Sequence, residues 1–188
     1  SNGDYNGSSN GDYNGSSNGD YNGSSNNSWN VTLEIGTYGG SISYSALNQT
    51  FGMTDGANSS FNEDVGDQLH PPPSPSGIEA YFYYPDESSG PYVDYTKLHV
   101  SYLGVDYPAN WTLKVHPSTS VFSPNVNGTV VMEWNTTDVD TISSNYTVTL
   151  VAPDATEIDM RSYGAYSFSA DEDSYYTFVI VVDETDGH

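Results

Sequence analysis

From Trp29 onward the chain is built of short runs in which apolar or β-branched residues alternate with polar ones, each run closed by Gly, Pro, Asn, Asp or Ser. Period two is the signature of half-buried strands, and several such runs in series predict an all-β body. The pattern predicts strands over Trp29 to Ile35, Ser41 to Leu47, Ile78 to Tyr84, Leu98 to Leu103 and Trp111 to Val115. A second set runs over Thr129 to Trp134, Tyr146 to Val151, Glu157 to Arg161, Ala165 to Ser169 and Tyr175 to Val182. No segment carries a helical period. Phe82, Trp134, Leu150, Phe178 and Ile180 are the expected core, and the last strand, apolar on both faces, is expected to be central and covered on both sides. Between the second and third strands a long loop, Gly52 to Gly77, carries the acids Glu63, Asp64 and Asp67 and ends in Pro71-Pro72-Pro73-Ser74-Pro75, a stiff polyproline element.

Residues 1 to 24 are three perfect copies of Ser-Asn-Gly-Asp-Tyr-Asn-Gly-Ser, and a fourth copy decays into the body. The expected organisation is a repeat tail over 1–28 and a β-sandwich over 29–188, with sub-lobes 29–118 and 119–188. In an extended chain the even period places Tyr5, Tyr13 and Tyr21 on one face and Asn6, Asn14 and Asn22 on the other. A fully extended octamer spans roughly 27 Å. Such a ribbon suits docking along the sandwich of another subunit through its tyrosines. Competing readings are a flexible Gly/Ser/Asn linker, a stack of Asn-Gly hairpins, and a calcium-binding repeat built on Asp4, Asp12 and Asp20.

Three Lys/Arg against 25 Asp/Glu give a formal net charge of -22. A surface so poor in cations repels phosphate backbones and anionic headgroups, so nucleic acid is excluded as a partner. The 17 tyrosines and an aromatic share of 14% supply ample core material, which separates the body from disordered chains. With no cysteine there is no disulfide framework or thiol chemistry. No stretch approaches the roughly 18 apolar residues of a membrane span, so no membrane insertion is expected. The chain opens inside a repeat with no signal peptide ahead of it and is read as a mature or truncated product.

Asn-X-Ser/Thr occurs at Asn6, Asn14, Asn22, Asn26, Asn30, Asn48, Asn58, Asn110, Asn127, Asn135 and Asn145, eleven of seventeen asparagines. Chance predicts only about four, and three of the eleven come from the repeat. N-glycans are bulky and confined to surfaces, so the excess predicts a secreted glycoprotein, extracellular or at the cell surface.

The stretch Trp29-Asn-Val-Thr-Leu-Glu-Ile-Gly36, followed by Phe51-Gly52-Met53, Ala57-Asn58-Ser59-Ser60-Phe61, the proline run and Ile78-Glu79-Ala80-Tyr81-Phe82, resembles secreted β-sandwich modules of bacterial and archaeal surface proteins. The segments Val130-Val131-Met132-Glu133-Trp134, Ile158-Asp159-Met160-Arg161 and Phe178-Val179-Ile180-Val181-Val182 are similar to fibronectin type III or immunoglobulin-like sandwiches. The resemblance covers most of residues 29–188. It implies an antiparallel immunoglobulin-like sandwich with a structural or adhesive role, and it supplies no catalytic residue.

Chemistry-bearing constellations are sparse. His70, His99, His116 and His188 lack metal-ligand spacing, and no nucleophile elbow or phosphate-binding glycine loop is present. Asp138 with Asp140, and Asp171-Glu172-Asp173, fall in predicted turns, where Asp serves the backbone. Trp29, Trp111 and Trp134 sit beside alternating apolar residues and are read as core. Glu63, Asp64 and Asp67 are the best calcium candidates; no other cofactor is expected. No catalytic site is expected, so the chain is read as a non-enzyme. The leading reading is a structural subunit of an extracellular, heavily N-glycosylated filament or surface layer, joined head to tail to copies of itself. The alternative is a carbohydrate-binding or adhesion module tethered by a glycosylated repeat linker.

Overall fold

The computed structural model describes residues 28–38, 47–57, 66–71, 77–83, 97–104, 107–117, 128–171 and 174–185. Their elements are β1 (Trp29–Tyr38), β2 (Leu47–Met53), β3 (Gln68–Leu69), β4 (Ile78–Tyr83), β5 (Lys97–Leu103), β6 (Ala109–Pro117), β7 (Gly128–Trp134), α1 (Thr136–Val139), β8 (Tyr146–Val151), β9 (Glu157–Asp159), β10 (Ala165–Ala170) and β11 (Tyr176–Glu184). The body is therefore nearly all β. The repeat tail, including Tyr5, Tyr13 and Tyr21, lies outside the described residues except for Ser28, as does most of the predicted strand Ser41 to Leu47.

The strands join in one sheet of order β10-β7-β1-β2-β5-β4-β6-β11-β8-β9, with β3 paired to β5. A wholly antiparallel arrangement was expected, and the sheet departs from it at one place. β2 and β5 run parallel, Thr50 opposite Val100 and Met53 opposite Leu103. The reason is connectivity: β5 is not the next strand after β2 but follows β4, pairs antiparallel with it and fills the place between β4 and β2, so no hairpin from β2 sets its direction. Residue 118 falls between β6 and β7, yet β1 pairs with β7 and β6 with β11, so hydrogen bonds run from one side of that position to the other.

The sheet curls until it nearly closes. With β2, β5 and β4 between them, β1 and β6 would stand roughly 19 Å apart in a flat sheet, but the Trp29 and Trp111 rings lie 5.8 Å apart. Phe51 packs on Trp111 at 5.2 Å and edge-on against Phe82 at 6.3 Å. At the other end of the core, Phe168 of β10 reaches Phe178 of β11 at 5.1 Å. Alternation explains this packing: along β6 every second residue from Ala109 to Pro117 is buried, and β7 does the same from Gly128 to Trp134. Phe82, Trp134, Leu150, Phe178 and Ile180 are all buried as expected. β11 lies inside the sheet between β6 and β8, with its outward Val179 and Val181 half-buried.

Most strands fall where the pattern puts them. β2, however, occupies Leu47–Met53, where the long loop was expected to begin. Gly52 accounts for the misreading. A Cβ there would meet the Trp29 carbonyl oxygen at 2.3 Å, so the residue is required by close strand approach and not by a turn. The short α1 was not anticipated either, because its single turn is too short to show a period.

Candidate functional site

Five sequon asparagines fall among the described residues, and all five are exposed. Asn30, Asn48 and Asn110 lie within β1, β2 and β6. In each case the next residue points inward: Val31 is fully buried, Gln49 is 1% exposed and Trp111 2%. Two-residue alternation then returns the sequon threonine to the outer face beside its asparagine. On β1 and β2 these threonines meet, because Thr32 stands opposite Thr50 and their Oγ1 atoms share a hydrogen bond of 2.9 Å.

Asn135 and Asn145 flank a compact corner instead. The Asn135 Oδ1 accepts from the Thr137 N–H at 2.9 Å and caps α1. Arg161 holds the corner together. Its Nη1 donates to the Val139 carbonyl (3.2 Å), and the two N–H groups of Nη2 are shared among the carbonyls of Ile142 (3.0 Å), Ser143 (2.9 Å) and Tyr146 (3.2 Å). A planar fork with donors fixed in several directions suits carbonyls spread along residues 139–146. The sequence marked Arg161 as one of three cations but gave no sign of these partners, since none has a fixed spacing from it.

The other two cations share a second face. Lys97 Nζ donates to Glu79 Oε1 at 2.7 Å and lies 4.4 Å from the centre of the Tyr81 ring. Register places Glu79 opposite His116, Tyr81 opposite Lys114 and Tyr83 opposite Lys97. His116 stacks on Tyr175 at 4.0 Å, and its Nδ1 lies 3.8 Å from Glu79 Oε2. Burial lowers the Lys97 pKa, but the hydrogen bond and charge of Glu79 outweigh it and hold the ammonium above its ordinary value. Burial pushes the Tyr81 hydroxyl up and the His70 imidazole down, with Glu79 opposing the latter. This arrangement is a paired, stacked surface: its carboxylate is occupied by a cation, Tyr83 and Tyr175 are exposed, and Tyr81 is buried beneath Lys97.

Two shallow cavities open on either side of Ser28 and Trp29, where the tail joins the body. One, of about 260 Å³, is lined by Tyr107, Thr141, Ser143, Asn145 and Tyr146; the other, of about 200 Å³, by Asn30, Met53, Thr54 and Tyr102. The Tyr107 and Tyr146 rings stack at 3.8 Å on the rim of the first.

Of the acidic trio, Glu63 and Asp64 lie outside the described residues, while Asp67 is buried and its Oδ1 accepts from the Tyr102 N–H at 2.6 Å. Among the described residues no group of three or more His, Asp or Glu could hold a metal ion. Asn6, Asn14, Asn22, Asn26, Asn58 and Asn127 also fall outside them, as does His188. Trp29, Trp111 and Trp134 are buried, and the Trp134 indole donates to the Met160 carbonyl at 2.8 Å. Among the described residues no helix is long and apolar enough to cross a membrane. Compared with protein-family models, curated proteins and solved structures, the chain finds no match.

Proposed function

We propose that this protein is a structural subunit of an extracellular, N-glycosylated filament or surface layer and performs no catalysis. The observation that carries the reading is the exposure of Asn30, Asn48, Asn110, Asn135 and Asn145, three of them on strands whose next residue is in the core. Sugars at these positions project from several sides of the body without disturbing its packing. A net charge of -22 adds mutual repulsion between bodies, which favours a main-chain route of assembly over lateral packing of side chains. In this proposal the tail over 1–28 docks in extended form on the next copy, with Tyr5, Tyr13 and Tyr21 as anchors. A free sheet edge receives such a strand through backbone hydrogen bonds, and an open head-to-tail series propagates as a filament. Of the two strands that end the sheet order, β9 has three residues and β10 six, so β10 is the acceptor with the longer ladder. Its exposed positions Ala165, Ser167 and Ser169 are small.

The immunoglobulin-like sandwich character of the body belongs to the same proposal, supported by its short antiparallel strands curled over one aromatic core. The second reading, a carbohydrate-binding module, is favoured by the stacked Tyr107 and Tyr146 beside the hydroxyl-lined cavity of about 260 Å³. Size-exclusion chromatography and electron microscopy of native protein, with and without residues 1–24, separate the two. Filaments lost on deletion support the subunit; a monomeric native protein that retains an immobilised glycan supports the module.

A further inference from the structure

The three strand sequons sit on interior strands, and their geometry has a consequence for when sugars can be attached. A transferase must bring the asparagine carboxamide and the hydroxyl two residues on to one place. In an extended strand residues i and i+2 stand about 6.6–6.8 Å apart along the chain, so the segment has to leave its sheet and bend. Each of these strands has a neighbour on both sides, and at the sequons themselves the ladder runs on one: Asn30–Thr32 pair with β2, Asn48 with β1 and Asn110–Thr112 with β11, while Thr50 is paired on both. Asn30 is in register with Gly52, Asn48 with Glu34, and Asn110 with Val181. Bending any of them also draws Val31, Gln49 or Trp111 out of the core. At Asn30 and Asn48 the two threonine hydroxyls that a transferase would read are bonded to each other at 2.9 Å.

Asn135 is the opposite case. It follows β7, is exposed, and already folds its carboxamide back onto the N–H of Thr137, two residues on. That Asx-type turn is the bent form which the strand sites lack. Asn145 is intermediate, since its own residue lies in a turn while Thr147 is laddered to Asp183.

Building on the glycoprotein reading, we infer that Asn30, Asn48 and Asn110 accept their glycans only before the sheet closes, whereas Asn135 remains an acceptor in the folded protein. The strand sites require a laddered stretch to come away from its neighbour and a buried residue to leave the core, which is rare in a stable sheet, and Asn135 requires neither. Sugar addition at the strand sites is therefore tied to synthesis and export of the unfolded chain, and Asn135 records modification of finished protein.

The test uses the full chain, made in a host without N-glycosylation, folded, and offered to a purified oligosaccharyltransferase with its lipid-linked oligosaccharide. A full-length Leu150→Asp/Phe178→Asp variant, unfolded by two charges placed at fully buried positions, runs beside it. Site-by-site mass spectrometry should find Asn135 modified in both chains. The strand sites should be modified at a rate comparable to Asn135 in the unfolded chain and at least about tenfold more slowly in the folded one. Strand sites that keep pace with Asn135 in the folded protein, or an Asn135 that reacts only in the unfolded variant, would overturn the inference. Absence of sugar at all four sites in both chains would instead overturn the glycoprotein reading beneath it.

Discussion

Replacing Arg161 by Met removes a guanidinium that binds four backbone carbonyls, yet keeps a side chain of similar length. The carbonyls of Val139, Ile142 and Tyr146 are partly buried, and that of Ser143 is exposed. Hydrogen bonds to a charged group contribute about 1.5–3 kcal/mol each when both partners are shielded. The full sum does not apply, because the Arg161 side chain is 23% exposed and the corner can open to admit water. The Asp140 contact at 3.5 Å, with the carboxylate 63% exposed, adds next to nothing. Counting the exposed carbonyl as rehydrated and the remaining three at reduced value, the expected loss is about 2–4 kcal/mol. Urea denaturation should show a lower midpoint at unchanged slope, and hydrogen exchange should locate the lost protection in residues 139–146. Arg161→Lys should recover less than half of the loss, since a point charge cannot reproduce a planar fork. A loss below about 0.5 kcal/mol, the ordinary range of a surface substitution, with unchanged exchange would refute the reasoning.

Gly52→Ala places a Cβ 2.3 Å from the Trp29 carbonyl oxygen and 2.9 Å from Tyr102 Cε1, so backbone must move and stability should fall by about 1–3 kcal/mol in the same assay. Lys97→Met removes the hydrogen-bonded cation from the Glu79 carboxylate, whose side chain is only 10% exposed, and leaves it with His116 Nδ1 at 3.8 Å; with Lys97 itself 41% exposed, a loss of about 1–2 kcal/mol is expected, largely restored by adding Glu79→Gln. Burial lowers the folded-state pKa of both His70 and His99. The unfolded chain therefore binds more protons, and stability should be full above about pH 6.5 and decline as pH falls toward the folded values. His99→Gln should flatten that slope in thermal melts taken across the range. Ser162 donates its hydroxyl to Asp159 Oδ2 at 2.5 Å, the main cause of that carboxyl's lowered pKa; in Ser162→Ala, an NMR titration should find Asp159 moved up toward the ordinary carboxylate range.

Local chemistry alone determines a good deal of this protein. Alternation along Ala109–Pro117 and Gly128–Trp134 identifies both the strands and their inward faces, because side chains in a strand point to opposite sides whatever it pairs with. The same rule makes Asn30, Asn48 and Asn110 legible as outward positions, since each precedes a buried residue by one. Gly52, read as the start of a loop, shows the limit: a residue without a side chain carries no alternation signal, and its role depends on a carbonyl that arrives from β1. Which strands neighbour one another was equally invisible. The parallel β2–β5 pair, the closure that brings Trp29 onto Trp111, the Glu79–Lys97 pair and the four carbonyls gathered by Arg161 all join segments distant in the chain. Contacts of that kind leave no periodic trace, because they are selected by the free energy of burying one shared core, which exists only once the whole sheet has curled.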